Sequence, residues 1–413
     1  MRNHPEDWKS MTLGELLAAT GGSIKTGPFG TILKASEYST EGVPIISVGE
    51  VGYGSLRVSE STPRAPHQVV ERLPEYRLRS GDIVFGRKGA VDRSAWVTPR
   101  EDGWFLGSDG IRLRLAPTLD TRFIAYQIQS SSARQWLLQH ATGSTMLSLS
   151  RRVLENLPVI VPPIAVQHAT SDVLAALDDK IAANRKLAST ADELARSQFR
   201  KFVGRSAASE MADATYGDVA VIGGGGTPKT RIPEYWDGDI PWATPTDVTG
   251  LEVPSLSATG RTITREGVSN SSAKLYPAGS ILMTSRATIG AFAIAENPVS
   301  VNQGFIVVNA KDPKHQWWLF HEMRSRVDEY IAHANGATFL EIPRGRFKAL
   351  PVTVPDDDVV AEFSTSASEL HQVAVNAATE SRTLVALRDT LLPRLMSGEL
   401  RVRDAEKSVE AVL

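Results

Sequence analysis

Pro162-Pro163-Ile164-Ala165-Val166-Gln167-His168 opens the run that decides the fold. Proline fixes φ and lacks an N–H that the first helical turn would leave orphaned. Beyond it lie Leu174, Leu177, Ile181, Asn184, Ala188, Ala191, Ala195, Gln198 and Phe202, at alternating intervals of three and four. That 3.5-residue period puts one stripe against a partner helix. Roughly forty helical residues at ~1.5 Å each would span about 60 Å, too long to stand alone. Phe363, Ser366, Leu370, Val373, Ala377, Glu380, Leu384, Leu387 and Leu391 repeat the alternation, and Pro393 and Gly398 close it. Leu177 and Leu370, Asn184 and Ala377, and Ala191 and Leu384 are each 193 residues apart. The two helices therefore hold equivalent places in an internal duplication.

The duplication extends beyond the helices. Gly14-Glu15-Leu16 corresponds to Gly217-Asp218-Val219, offset 203, and Gly81-Asp82-Ile83-Val84 to Gly279-Ser280-Ile281-Leu282, offset 198. Ser108-Asp109-Gly110-Ile111 corresponds to Asn302-Gln303-Gly304-Phe305, offset 194. At offset 193, His140, Gly143, Thr145, Leu147 and Arg151 match His333, Gly336, Thr338, Leu340 and Arg344. The order is unit, helix, unit, helix: residues 1–160, 161–205, 211–355 and 356–400, with a tail at 401–413. Short β-type runs at 44–48, 81–85 and 111–115 mix with a helix expected over Arg122–Leu138. This is an α+β pattern without regular βα alternation. A duplicated chain closes most simply with pseudo-twofold symmetry. The expectation is an antiparallel two-helix coiled coil separating two inverted units, with Ala182, Ala183 and Ala195 on its outer face.

Composition narrows the function classes. Of 413 residues, 42% are hydrophobic and 22% charged, and no apolar run reaches the ~20 residues of a membrane span. There are no cysteines, which excludes thiol catalysis and cysteine-ligated zinc and suits a cytoplasmic protein. The net charge of −2 lacks the basic surplus of a protein that grips DNA alone. Composition by itself thus favours a chain that does not bind nucleic acid, the other possibility being local patches helped by partners. Gly223-Gly224-Gly225-Gly226-Thr227-Pro228-Lys229-Thr230 puts proline where a P-loop needs glycine, so it reads as a surface loop. Asp356-Asp357-Asp358 precedes a helix and reads as a cap rather than a metal site. His315 and His321, six apart, lack zinc-pair spacing. No catalytic, cofactor or metal residue stands out.

Gly225-Gly226-Thr227-Pro228-Lys229-Thr230 followed by Pro233-Glu234-Tyr235-Trp236-Asp237-Gly238-Asp239-Ile240-Pro241-Trp242 resembles the opening of a target-recognition domain in specificity (S) subunits of type I restriction–modification systems. Ser285-Arg286-Ala287-Thr288-Ile289-Gly290 and Asn297 to Phe305 are similar to its later signature, Leu177 to Asn184 to the central helix, and Leu387 to Leu400 to the C-terminal helix end. The resemblance covers essentially the whole chain; the first unit departs most, Gly21-Gly22-Ser23-Ile24-Lys25 echoing the glycine-rich opening only loosely. It implies a non-catalytic subunit whose two target-recognition domains each read half of a bipartite double-stranded DNA site. The coiled coil would set their spacing and dock two modification (M) subunits, and through them restriction (R) subunits. S-adenosylmethionine, ATP and Mg would belong to those partners, and the role would be phage defence.

Loop positions nominate the readers: Lys25, Arg87, Lys88, Arg93 and Ser94 in the first unit, and Lys229, Arg231, Arg286, Asn302 and Gln303 in the second. Arginine can pair bidentately with guanine, and asparagine or glutamine with adenine. Trp236 and Trp242 read as packing residues. Two rivals remain: a coiled-coil adaptor without DNA contact, and a specificity module of another DNA-defence complex.

Overall fold

The computed structural model describes residues 5, 7–30, 32–206, 214–336 and 339–412. Thr338, matched above to Thr145, and the expected start of the second unit at 211 lie outside them. The chain packs as two units, residues 1–179 with 384–413, and residues 180–383. The division falls within both long helices, Ile164–Ser206 and Asp357–Met396. Each unit thus owns a globular body and a stretch of each helix.

The two bodies share one strand plan. In the first, Gly22–Thr26, Gly110–Leu115, Ile83–Gly86 and Ser94–Trp96 form an antiparallel sheet in that order. In the second, Ala220–Gly224, Phe305–Ala310, Ile281–Arg286 and Thr288–Ala295 repeat it, and Ser255–Leu256 adds a parallel edge. A three-stranded sheet recurs as Arg64–Ala65, Val43–Ile46, Phe105–Leu106 and as Thr262–Ile263, Trp236–Ala243, Ser300–Val301, each with one parallel pair. A two-stranded ribbon joins Lys9–Thr12 to Pro158–Val161, and Ala214–Thr215 to Pro351–Val352.

Local causes repeat as well. A capping box starts each opening helix, because a threonine followed three residues later by an acid satisfies two orphan donors at once. Thr12 N–H donates to Glu15 Oε2 at 2.8 Å, and Thr215 N–H to Asp218 Oδ2 at 2.9 Å. In the second body Ile281, Met283, Ile306 and Val308 bury one sheet face against Leu319, Phe320 and Met323 of the helix Gln316–Ser325. Leu282, Ala293 and Val307 bury the other face against Ala243 and Val301.

Three sequence expectations shift. Arg122–Leu138 is two helices, Thr121–Gln129 and Ser131–His140, because Ser130 leaves helical geometry (ψ 150°) and caps the second. Pro393 does not end the distal helix, which runs to Met396; Gly398, at φ 70°, closes it. The strand match is off by one. Ile83 pairs with Leu113 and its counterpart Ile281 with Val308, an offset of 195 rather than 194. Asn302 therefore corresponds to Gly107, and both donate their N–H to the neighbouring parallel strand, at Ala243 and Ile46.

Within the second unit the long helices run antiparallel. Gln198 accepts from Ser366 at 2.8 Å, Ala188 and Ala191 pack with Ala374 and Ala377, and Lys180 meets Glu380 at 3.1 Å. Within the first unit Asp178 accepts from Arg388 at 2.9 Å. The stripe from Leu174 to Ala195 is buried as expected. Ala195 thus faces inward and is no part of an outer face, whereas Ala182 and Ala183 are exposed.

Candidate nucleic-acid interface

A β-hairpin loop is braced in the same way in both units. In the first, the strand ending at Gly86 leads into Arg87 and Lys88. Leu149 N–H donates to the Arg87 carbonyl and Gly89 N–H to the Leu147 carbonyl, both at 2.8 Å. In the second, Ile342 N–H donates to the Ser285 carbonyl at 3.0 Å and Ala287 N–H to the Leu340 carbonyl at 2.9 Å. Lys88 bridges Ser148, and Arg286 bridges Glu341. Bond for bond, Lys88 is the counterpart of Arg286.

The backbone after each cation is left-handed, Gly89 at φ 72° and Ala287 at φ 62°. Among the described residues, Ala287 and Asp237 are the non-glycine residues with positive φ. A left-handed alanine costs about 1–2 kcal/mol, so the surrounding bonds must hold it there.

The bracing segment carries a second feature that the sequence reading missed. Gly143 and Gly336 sit at φ 116° and 130°, where a Cβ would meet the carbonyl oxygens of Met146 and Phe339 at 2.2 and 2.1 Å. Only glycine fits, and the turn pushes a large apolar side chain outward: Met146 is 61% exposed and Phe339 60%. In the second unit, Arg286, Asn335, Phe339 and Glu341 line one shallow hollow. Two aromatics, Phe29 and Tyr53, also project in the first unit. Phe29 lies 5.2 Å under the Arg87 guanidinium, and Tyr53 lies under Arg93 and Arg134 at 5.6 and 4.5 Å. The available signal was the 193 offset, which pairs Met146 with Phe339 as two large apolar residues in loops.

The nominated readers separate on inspection. Arg87, Lys88 and Arg93 share the hairpin loop, and Lys88 pairs with Asp109 at 3.2 Å. Ser94 is a correction: it is 2% exposed, inside a strand opposite Phe85, and cannot reach a ligand. Lys25 lies on an edge strand over the Tyr76 ring, 3.8 Å from Glu75. In the second unit Lys229 and Arg231 are exposed on the loop after the glycines. That loop is pinned by Trp242 Nε1 donating to the Gly226 carbonyl at 3.0 Å. Asn302 Oδ1 accepts from Gly304 N–H at 2.8 Å, and Gln303 Oε1 from Thr227 at 2.7 Å, so both amide oxygens brace the loop. Arg286 is half-exposed, and its 3.7 Å contact with Glu341 is a weak surface pair that a ligand can displace. Trp236 and Trp242 are buried edge to face, 5.1 Å apart, with Arg261 stacked 3.6 Å from the first.

Exposed cations beside exposed flat or flexible apolar groups suit a partner with both charge and stacked rings. No group of three or more metal-ligating side chains occurs among the described residues, and no helix there is long and apolar enough to cross a membrane.

The family described as "Type I restriction modification DNA specificity domain" matches residues 5–191 and again 208–362. The MjaIX type I restriction enzyme specificity subunit of Methanocaldococcus jannaschii is 35% identical over 169 residues, 40% of this chain and 39% of that protein. The HindI specificity subunit of Haemophilus influenzae is 23% identical over 192 residues, 44% of this chain and 40% of that one. Each alignment thus spans about two-fifths of the relative's length. In fold, the chain is similar to the S subunit of a type I restriction–modification system from M. genitalium, with a TM-score of 0.62 over 96% of this chain and 97% of that one at 16% identity.

Proposed function

This chain belongs to the type I restriction–modification DNA specificity domain family, and on that premise we propose that it is the non-catalytic subunit that selects a bipartite double-stranded DNA site. Each unit reads one half-site. The Arg87–Arg93 loop with Met146 serves the first unit, and Arg286 with Phe339, helped by Lys229 and Arg231, serves the second. The paired helices set the half-site spacing and dock two modification subunits, which bring S-adenosylmethionine and methylate adenine. Restriction subunits, where present, add ATP-driven cleavage with Mg.

The observation that carries this reading is the loop braced twice by the same bonds, each time presenting a cation beside an outward apolar tip. Side chains differ between the copies, Lys88 against Arg286 and Met146 against Phe339, while the frame stays the same. A repeated frame with varied tips suits two readers of different sequences. Shared grip also answers the charge problem: phosphate contacts supply much of DNA affinity, and partner subunits closing on the duplex can provide them, leaving this chain to read base edges.

Co-expression with the cognate modification subunit, followed by methylome sequencing, tests the proposal. A methylated adenine motif in two halves around an unread spacer is expected. Co-purification without any methylation motif, and no duplex shift with or without the partner, would instead make the chain an adaptor.

A further inference from the structure

The first unit carries a pocket of about 560 Å³ that none of the reading loops uses. It lies where Gly22–Thr26 pairs with Gly110–Leu115. Lys25 stands opposite Arg112 and Ser23 opposite Arg114, which puts all four side chains on one face of the sheet. Thr26, Glu75, Arg79 and Arg151 complete the polar lining. The five cations meet three carboxylates: Glu75 at 3.8 Å from Lys25, Asp82 at 2.6 Å from Arg114 and Glu155 at 2.7 Å from Arg151. Two positive charges are left without a counter-ion.

One of them is buried. Arg112 is 5% exposed; Nη1 donates to the Glu75 carbonyl at 3.0 Å and Nη2 to Ser23 Oγ at 3.3 Å, but Nε has no partner. Burial pulls its pKa below the ordinary arginine value, and the neighbouring Arg114 and Arg79 pull the same way against Asp82. The other is Arg79, exposed at the rim, with no carboxylate partner among the described residues. A buried cation without an anion costs several kcal/mol. The fold does not require it, since the second unit builds the same sheet with Val307 and Asn309 at the equivalent positions. There Ser280 and Asn309 join by a neutral 2.9 Å hydrogen bond where the first unit has Asp82 and Arg114.

We infer that this pocket binds phosphate groups, either consecutive phosphodiesters of the DNA backbone or the dianionic end of a free phosphate ester. Guanidinium forks match phosphate oxygens in geometry as well as charge, and a surplus of two charges matches a dianion or two diesters. The backbone source rests on the DNA-reading proposal above; the free source does not.

The test uses the full chain, alone and with its modification partner, as wild type, Arg79→Ala and Arg79→Glu. Arg79 is exposed, so the variants keep the fold. With the partner, duplex affinity is measured against salt. A backbone site predicts that the slope of log K against log salt falls by about 1 in Arg79→Ala, equally on cognate and unrelated DNA. For the chain alone, inorganic phosphate and pyrophosphate are titrated against melting temperature. A free-phosphate site predicts a rise in Tm that Arg79→Glu abolishes. A changed slope assigns the DNA backbone, and a changed melting response alone assigns a small phosphate ester. Wild-type behaviour of the variants in both arms overturns the inference. If the complex binds no duplex, the DNA-reading proposal falls, while the melting arm still decides the pocket.

Discussion

Arg286 and Ala287 concentrate what the proposed reading loop demands: under that proposal the first reaches out, while the second holds a backbone that alanine disfavours. Ala287→Gly should relieve the left-handed strain at φ 62° and raise the stability of the second unit by about 1 kcal/mol in urea unfolding. The counterpart Gly89 shows the relaxed version of the same turn at φ 72°. No stabilisation would mean that the turn adjusts and stores nothing. Phe339→Ala removes an apolar tip that packs on no core, so melting should stay within ±0.5 kcal/mol of wild type. Affinity for cognate duplex in the assembled complex should fall by about 1–3 kcal/mol, the worth of one stacked base. At this scale the sequence was half legible. Arg87, Lys88 and Arg286 stood out as cations after a glycine-led strand. Ser94 did not separate from them, because a serine's burial depends on which way the next strand turns. Met146 and Phe339 escaped because an exposed apolar residue reads as core until the turn that expels it is known.

The helices show what periodicity can and cannot predict. Leu174 through Ala195 fall on the 3.5-residue stripe, but the next buried residue is Phe199 rather than Gln198. A straight helix repeats at 3.6 and drifts off a strict stripe. In the distal helix Ala367, His371 and Ala374 are buried in place of Ser366, Leu370 and Val373, and Val373 is 40% exposed. The cause is tertiary. His371 stacks on Trp317 at 4.4 Å, ring planes 8° apart, and shares a 2.9 Å contact with His321, so the globular body claims a face of the helix. Asn184 sits in the stripe, 4% exposed, and its Nδ2 has no partner. A buried donor left unmade costs about 1–3 kcal/mol. Asn184→Leu should therefore stabilise the second unit by roughly 1 kcal/mol against urea, the apolar gain being offset by imperfect fit. Destabilisation beyond 1 kcal/mol would show that Asn184 has a partner in solution, such as a water.

Across the molecule, the duplication was the most legible feature, because constant offsets need no knowledge of tertiary structure. What it hid is where the copies diverge. Buried polar groups sit differently in each unit: the second joins its body to the distal helix through the buried His321–His371 pair, where the first has an exposed His168 on Asp120. Burial lowers the pKa of His371 from 6.5 to about 4, opposed by Asp192 and helped by Arg324 and Arg196, and burial lowers that of His321 to about 2, helped by His371 and Arg324 and opposed by Asp192. The folded state holds both neutral while the unfolded chain binds protons below pH 6.5, so stability is full above that value and falls as pH drops through it. Between pH 7 and 5.5 each histidine should withdraw on the order of 1 kcal/mol from the second unit. Urea unfolding at both pH values checks this, and His321→Leu/His371→Leu should flatten the response. A wild type insensitive to that range would mean that the pair takes up protons in the fold as readily as in the unfolded chain.

The claim on which the rest depends is that two copies of one frame read two different half-sites. Methylome sequencing of a host carrying the modification partner with wild type, Lys88→Ala or Arg286→Ala tests it most directly. The account predicts a bipartite adenine motif in wild type. Lys88→Ala should relax positions in one half only and Arg286→Ala positions in the other, with the spacer length unchanged. Relaxation of the same half by both variants, or an uninterrupted motif, would contradict it.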